Sequence, residues 1–107
     1  MNRKSFFTDL EKDGWDMRIG GYMKNEYCIS DEGHNGIGIF IEDTDGDSFQ
    51  ITCKKWKSLS VELYYNKKIH FKDLPANQVE YINNLASRIY KKGLIKYNLN
   101  KIQEDFE

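Results

Sequence analysis

The chain contains few of the residues that mark disordered, secreted or membrane proteins. One proline occurs in 107 residues, and periodic apolar segments run through nearly the whole length, so the chain is not of the disordered class. The two cysteines, Cys28 and Cys53, are too few for a disulfide-stapled secreted domain of this size. No apolar run is long enough to span a bilayer. The opening MNRKSFFTDLEKDGW lacks the apolar centre of a secretory signal. The expectation is a cytoplasmic protein with no membrane partner.

Catalytic signatures are missing too. There is no Gly-x-Ser-x-Gly elbow, phosphate loop or dinucleotide fingerprint. Gly33, Gly36 and Gly38 lead into a strand, not from a strand into a helix. His34, His70, Cys28 and Cys53 could supply four zinc ligands by number, but no two lie close enough to form half a site. The sequence therefore predicts a non-enzymatic protein with no metal and no cofactor.

Aromatic residues make up 14% of the chain, and large rings let a short chain bury enough area to fold. The length fits one domain, residues 1–107, with one core. The net charge of −1 conceals a segregation. Residues 25–53 hold seven acids (Glu26, Asp31, Glu32, Glu42, Asp43, Asp45, Asp47) and no Lys or Arg. Residues 54–101 hold eleven basic side chains against three acids, and the tail from Gln103 is acidic again.

Patterning predicts an α+β two-layer domain. Ser5 is placed to cap a helix over Phe6–Lys12, stopped by Asp13-Gly14. Trp15–Met23 reads as one strand, with Gly20-Gly21 marking a bulge or a close backbone approach. Glu26–Ser30 is a second strand, followed by a turn-rich loop to Gly36. Ile37, Ile39 and Ile41 alternate, as do Phe49, Ile51 and Cys53, and then Leu59, Val61, Leu63 and Tyr65. Ile69–Phe71 reads as a short edge strand. Asp73 and Pro75 mark the start of a long helix that Gly93 terminates, and Leu99, Ile102 and Phe106 are spaced for a second one. The expected order is an N-terminal helix, a four- or five-stranded antiparallel meander and two C-terminal helices.

Opposed residues in an antiparallel pair share a face. Pairing Ile41 with Phe49, Ile39 with Ile51 and Ile37 with Cys53 closes on a three-residue loop, Thr44-Asp45-Gly46, with Gly46 at the position that favours positive φ. In that register Asp43 faces Asp47, and Cys28 and Cys53 point to opposite faces. The next hairpin pairs Cys53 with Leu59 and Ile51 with Val61.

Two clusters offer binding chemistry. The acidic hairpin, with Glu42, Asp43, Asp45 and Asp47 and the neighbouring Asp31 and Glu32, is either a solvated turn, a docking surface for a basic partner, or a cation loop. The cation reading fails on spacing, because strands flank the run and Gly46 falls one position early for an EF-hand. The second cluster is Lys54-Lys55-Trp56-Lys57 in a hairpin loop, with Tyr64 turned away from the core and Lys67, Lys68 and Lys72 following. It is either a lysine-guarded sheet edge or a nucleic-acid surface in which lysines meet phosphates and rings stack on bases. Lys91, Lys92 and Lys96, near the expected helix end, complement the helix dipole. If the acidic and basic halves face apart, self-association as a homodimer follows naturally.

The layout of N-terminal helix, acidic antiparallel hairpins and C-terminal helices resembles small phage-encoded anti-CRISPR proteins. So does the wording of Gln78-Val79-Glu80-Tyr81-Ile82-Asn83-Asn84 and Tyr97-Asn98-Leu99-Asn100-Lys101-Ile102. The resemblance implies a non-catalytic inhibitor in the host cytoplasm that blocks nucleic-acid entry to a CRISPR effector nuclease. Asp31, Glu32, Glu42, Asp43, Asp45 and Asp47 would form the contact. The alternatives are a nucleic-acid-binding accessory protein acting through Lys54, Lys55, Trp56, Lys57 and Tyr64, and a small enzyme or metal protein whose site has no sequence motif.

Overall fold

The computed structural model describes residues 3–19, 21–31, 35–44 and 46–106. Its elements are α1 (Arg3–Lys12), β1 (Asp16–Arg18), β2 (Gly21–Met23), β3 (Cys28–Asp31), β4 (Asn35–Asp43), β5 (Ser48–Lys57), β6 (Ser60–His70) and α2 (Gln78–Phe106). The α+β layout is the expected one. All strands join one antiparallel sheet in the order β1-β2-β4-β5-β6. β5 pairs along the whole of one edge of β4, so β2 and β3 share the other edge, opposite Ile41 and Gly38 respectively.

Helix α1 begins at Arg3, so Ser5 lies inside it and is not its cap. It ends where expected. Trp15 N–H donates to the Leu10 carbonyl at 3.0 Å and Gly14 N–H to Glu11 at 3.1 Å, with Gly14 at φ +104°. This is a Schellman closure, and the apolar pair that accompanies it, Leu10 with Trp15, is fully buried. Asn83 of α2 holds the junction. Its amide oxygen accepts the Trp15 indole N–H at 3.2 Å, and its amide nitrogen donates to Asp13 at 2.7 Å. Burial alone would raise the Asp13 carboxyl, but the bonds from Lys24 and Asn83 outweigh it and hold the group below its usual range.

Trp15–Met23 is two strands, not one bulged strand. Arg18 pairs with Gly21, and Gly20 lies outside the described residues. The close approach expected at the glycines is present at Gly21, where φ is +134° and an added Cβ would lie 2.7 Å from the Ile41 carbonyl oxygen.

The β4–β5 register is shifted by two residues from the expected one. Ile41 faces Ile51, Ile39 faces Cys53, and Asp43 faces Phe49 instead of Asp47. An even shift keeps every apolar side chain on its face, and a longer loop closes it, with Thr44 Oγ1 donating to the Ser48 carbonyl at 3.0 Å. The β5–β6 hairpin differs more. It turns at Ser58-Leu59, with Ser58 at φ +52°, and pairs Cys53 with Tyr65 and Ile51 with Lys67. Lys54–Lys57 therefore belong to β5 and not to a loop. Leu59, Val61 and Leu63 are exposed instead of core. β6 runs on to His70, so Ile69 ends this strand and does not start another.

Helix α2 is continuous from Gln78 to Phe106; it starts three residues beyond Pro75 and passes through Gly93 without a break. Both helices cover the face that carries Ile37, Ile39, Ile41, Phe49, Ile51 and Cys53, all fully buried. Phe6, Phe49 and Phe71 meet there with ring centroids 4.7–5.5 Å apart. No helix among the described residues is long and apolar enough to cross a membrane.

Candidate functional site

Among the described acidic residues predicted as a docking surface, Glu42 and Asp43 are bridged to cations of this chain. Lys54 Nζ bonds Glu42 Oε1, and the Thr52 hydroxyl donates to the same oxygen at 3.5 Å. Asp43 is bridged by Arg3, which also donates to the Thr44 carbonyl at 2.8 Å. Asp47 is exposed, and its carbonyl accepts the Phe71 N–H at 2.9 Å. Asp31 pairs with Asn35 at the end of the β3–β4 hairpin. Glu32, His34 and Asp45 lie outside the described residues. Two of the predicted carboxylates are thus neutralised from within the chain.

The lysine-tryptophan cluster is split by strand alternation. Lys54 and Trp56 lie on the sheet face away from the helices, while Lys55, opposite Glu62, lies on the helical face. Lys57 pairs with Ser60 beside the turn. The Trp56 indole is committed to the sheet. It meets the Phe40 ring edge-on at 6.0 Å, and a Cβ at Gly36 would lie 2.3 Å from its Cζ2. Lys54 Nζ stands 5.3 Å from the Phe40 centroid. This packing keeps Phe40 buried on the face away from α1 and α2.

Tyr64 is on the other face from the one expected. The register slips between Cys53 and Lys54, leaving Tyr64 as the extra residue on β6. The bulge turns its ring toward α2, where Lys96 Nζ lies 4.4 Å from the centroid. Lys54 lines a separate concavity together with Glu42 and Asp43, whereas Tyr64 thereby reaches the concave surface between β6 and α2.

That surface is a cleft of about 450 Å³ between β6 and α2. Arg88, Lys92 and Lys96 come from α2, and Lys67, Tyr64 and Tyr65 from β6. The floor is Cys53, Leu85, Ile89 and Gly93. No carboxylate is among these residues. Helix α2 packs over β4 and β5, and its close approach is made at Gly93, where an added Cβ would lie 2.7 Å from Cys53 Sγ. β6 is left as the outer wall.

Sequence reasoning missed Arg88, named Lys67 only as one of the lysines that follow Tyr64, and gave Lys92 and Lys96 a different role. The dipole explanation required a helix end at Gly93. Since α2 continues to Phe106, these lysines sit in its interior, beyond the reach of the terminal partial charge. The available signal was spacing: Arg88, Lys92 and Lys96 recur at i, i+4 and i+8, which puts three like charges on one helix stripe.

Burial pushes the Cys53 thiol up to about 11, so it is protonated at neutral pH and a poor nucleophile. Among the described residues no three His, Cys, Asp or Glu side chains gather as a metal site, and Cys28, opposite Gly38, is on the sheet face away from Cys53. Compared with known proteins, the chain matches no family model, no curated protein and no solved structure.

Proposed function

We propose that the protein is a non-catalytic binding module that takes up single-stranded nucleic acid in the cleft between β6 and α2. One observation carries this reading: four cations from two elements, with two tyrosine rings, surround one concave surface that no carboxylate lines. Cations at i, i+4 and i+8 step about 6 Å along the helix, a spacing that suits successive phosphates of an extended strand. Tyrosine rings and an apolar floor suit the bases.

An inhibitor docking its acidic hairpin on a basic nuclease surface draws less support, because Arg3 and Lys54 already occupy Asp43 and Glu42. The two readings separate in one titration. Fluorescence anisotropy of labelled single-stranded RNA and DNA at low salt should give saturable binding, and the combined variant Arg88→Ala, Lys92→Ala, Lys96→Ala should weaken it at least about tenfold. A flat titration with the wild-type protein, or equal affinity in the variant, overturns the cleft reading.

A further inference from the structure

Within the cleft, one ring and one cation already touch. Tyr64 is the extra residue of the β6 bulge, and its ring lines the cleft. Its Cδ2 lies 3.9 Å from the place a Cβ on Gly93 would take, so the glycine that lets α2 approach the sheet also borders this ring. Lys96, three residues further along α2, sets its Nζ 4.4 Å from the ring centroid. Gly93 and Lys96 thus meet Tyr64 from one side of the helix. Lys96 is exposed and Tyr64 half-buried. A cation over a ring at an exposed site is weakly held, and the flexible lysine stem lets the ammonium move while the helix stays in place.

We infer that Tyr64 is the base-stacking position of the cleft and that Lys96 has two stations: the Tyr64 ring, where the structure places it, and a phosphate of a bound strand. The inference rests on the cleft reading above and names what the cleft selects. The exchange gives up one weak contact between cation and ring. It gains a charge-assisted bond to phosphate, which is stronger, and a base stacked on the ring face that the ammonium leaves. Phosphate alone draws Lys96 away and leaves that face bare. A chain that carries bases therefore binds more tightly than a sugar-phosphate chain of the same charge, although the cations of the cleft attract both.

Two measurements on the full chain test this. The first is anisotropy at low salt with an oligothymidine of about eight nucleotides and an abasic chain of the same length. Wild-type protein should bind the oligothymidine at least about fivefold more tightly, the lower end of what one stacked base contributes. Tyr64→Leu should bring the two affinities within about twofold by weakening the oligothymidine alone, while Tyr64→Phe keeps the wild-type ratio. The second needs no variant and reads Lys96 itself by NMR. Its ε-methylene protons, held over the Tyr64 ring, should resonate upfield of the other lysines before ligand is added, and should lose that shift when the oligothymidine saturates the protein. Equal binding of the two chains by wild type, or an upfield shift that persists at saturation, overturns the inference. The cleft reading is judged separately: if both chains bind equally and the combined variant Arg88→Ala, Lys92→Ala, Lys96→Ala weakens both, the cleft stands and only the stacking exchange falls. If neither chain binds, both fall.

Discussion

An added methyl at Gly93 would lie 2.7 Å from Cys53 Sγ and 3.1 Å from Ile37 Cδ1, distances that force the core to shift. Gly93→Ala should therefore destabilise by about 1–2 kcal/mol, the cost of overpacking less the gain in helix propensity. Adding Cys53→Ala should recover most of the loss, since the methyl then fills the space the sulfur left. Urea denaturation of both variants checks this. A helix-terminating glycine would also resist alanine, but truncating Cys53 would not rescue it. Cys53 makes a second residue-scale prediction through its proton. Its thiol ionises near an ordinary 9.0 when unfolded and at about 11 when folded, because burial disfavours the thiolate. The unfolded chain then gives up its proton first, so the stabilisation is intact below pH 9 and is lost as pH rises toward 11, on the order of 2 kcal/mol. Burial raises Tyr22 and Tyr90 as well, which adds to the loss above pH 10. Denaturation midpoints measured at pH 8 and pH 10.5 should fall less in Cys53→Ala than in wild type.

At the scale of elements, α2 holds a tension that can be measured. Arg88, Lys92 and Lys96 repel one another across successive turns, and removing the central charge should relieve this. Lys92→Glu converts two like-charge neighbours into two opposite pairs, each worth about 0.2–0.5 kcal/mol. The variant should melt higher than wild type while its affinity for single-stranded oligonucleotides falls. A stabilised variant with unchanged affinity would mean that the stripe is only a solvated face. The same helix shows where the sequence could be read and where it could not. Alternation at Ile37–Ile41 and Phe49–Cys53 was legible because the buried face has a period of two. The partner of each residue was not, since a two-residue slip preserves every face. Leu59, Val61 and Leu63 alternate just as cleanly and stay exposed. Burial depends on which face is covered: Leu59 is in the turn, and the register shift at Cys53/Lys54 leaves Val61 and Leu63 on the face away from the helices, while Ile69 of the same strand is buried. Gly93 was ambiguous in the same way: glycine serves a helix end and a close crossing equally well. That single misreading divided α2 in two and explained away the lysines of the cleft.

Across the whole molecule, 50 Å long and 22 Å in its other two dimensions, the two charge signs are treated differently. The negative hairpin is internally bridged: Glu42 meets Lys54 on the open face of the sheet, and Asp43 meets Arg3 beside α1. The positive cleft lies on the helical face, lined by no acid. A near-neutral chain can therefore present a local positive field, and local field governs association with a charged partner more than net charge does. Two variants separate these surfaces. Glu42→Gln with Asp43→Asn should leave oligonucleotide affinity within about twofold and cost no more than about 1 kcal/mol for each part-exposed pair. Lys67→Ala with Arg88→Ala should lower affinity without lowering stability, since both side chains are exposed. Salt gives the quantitative form. If all four cations neutralise phosphates, the logarithm of the binding constant should fall against the logarithm of salt concentration with a slope of roughly −3, from about −0.7 per contact on a single strand. The Lys67→Ala, Arg88→Ala variant should show about half that slope. A slope that the cleft variant does not change would place the phosphate contacts outside the cleft and overturn the cleft reading.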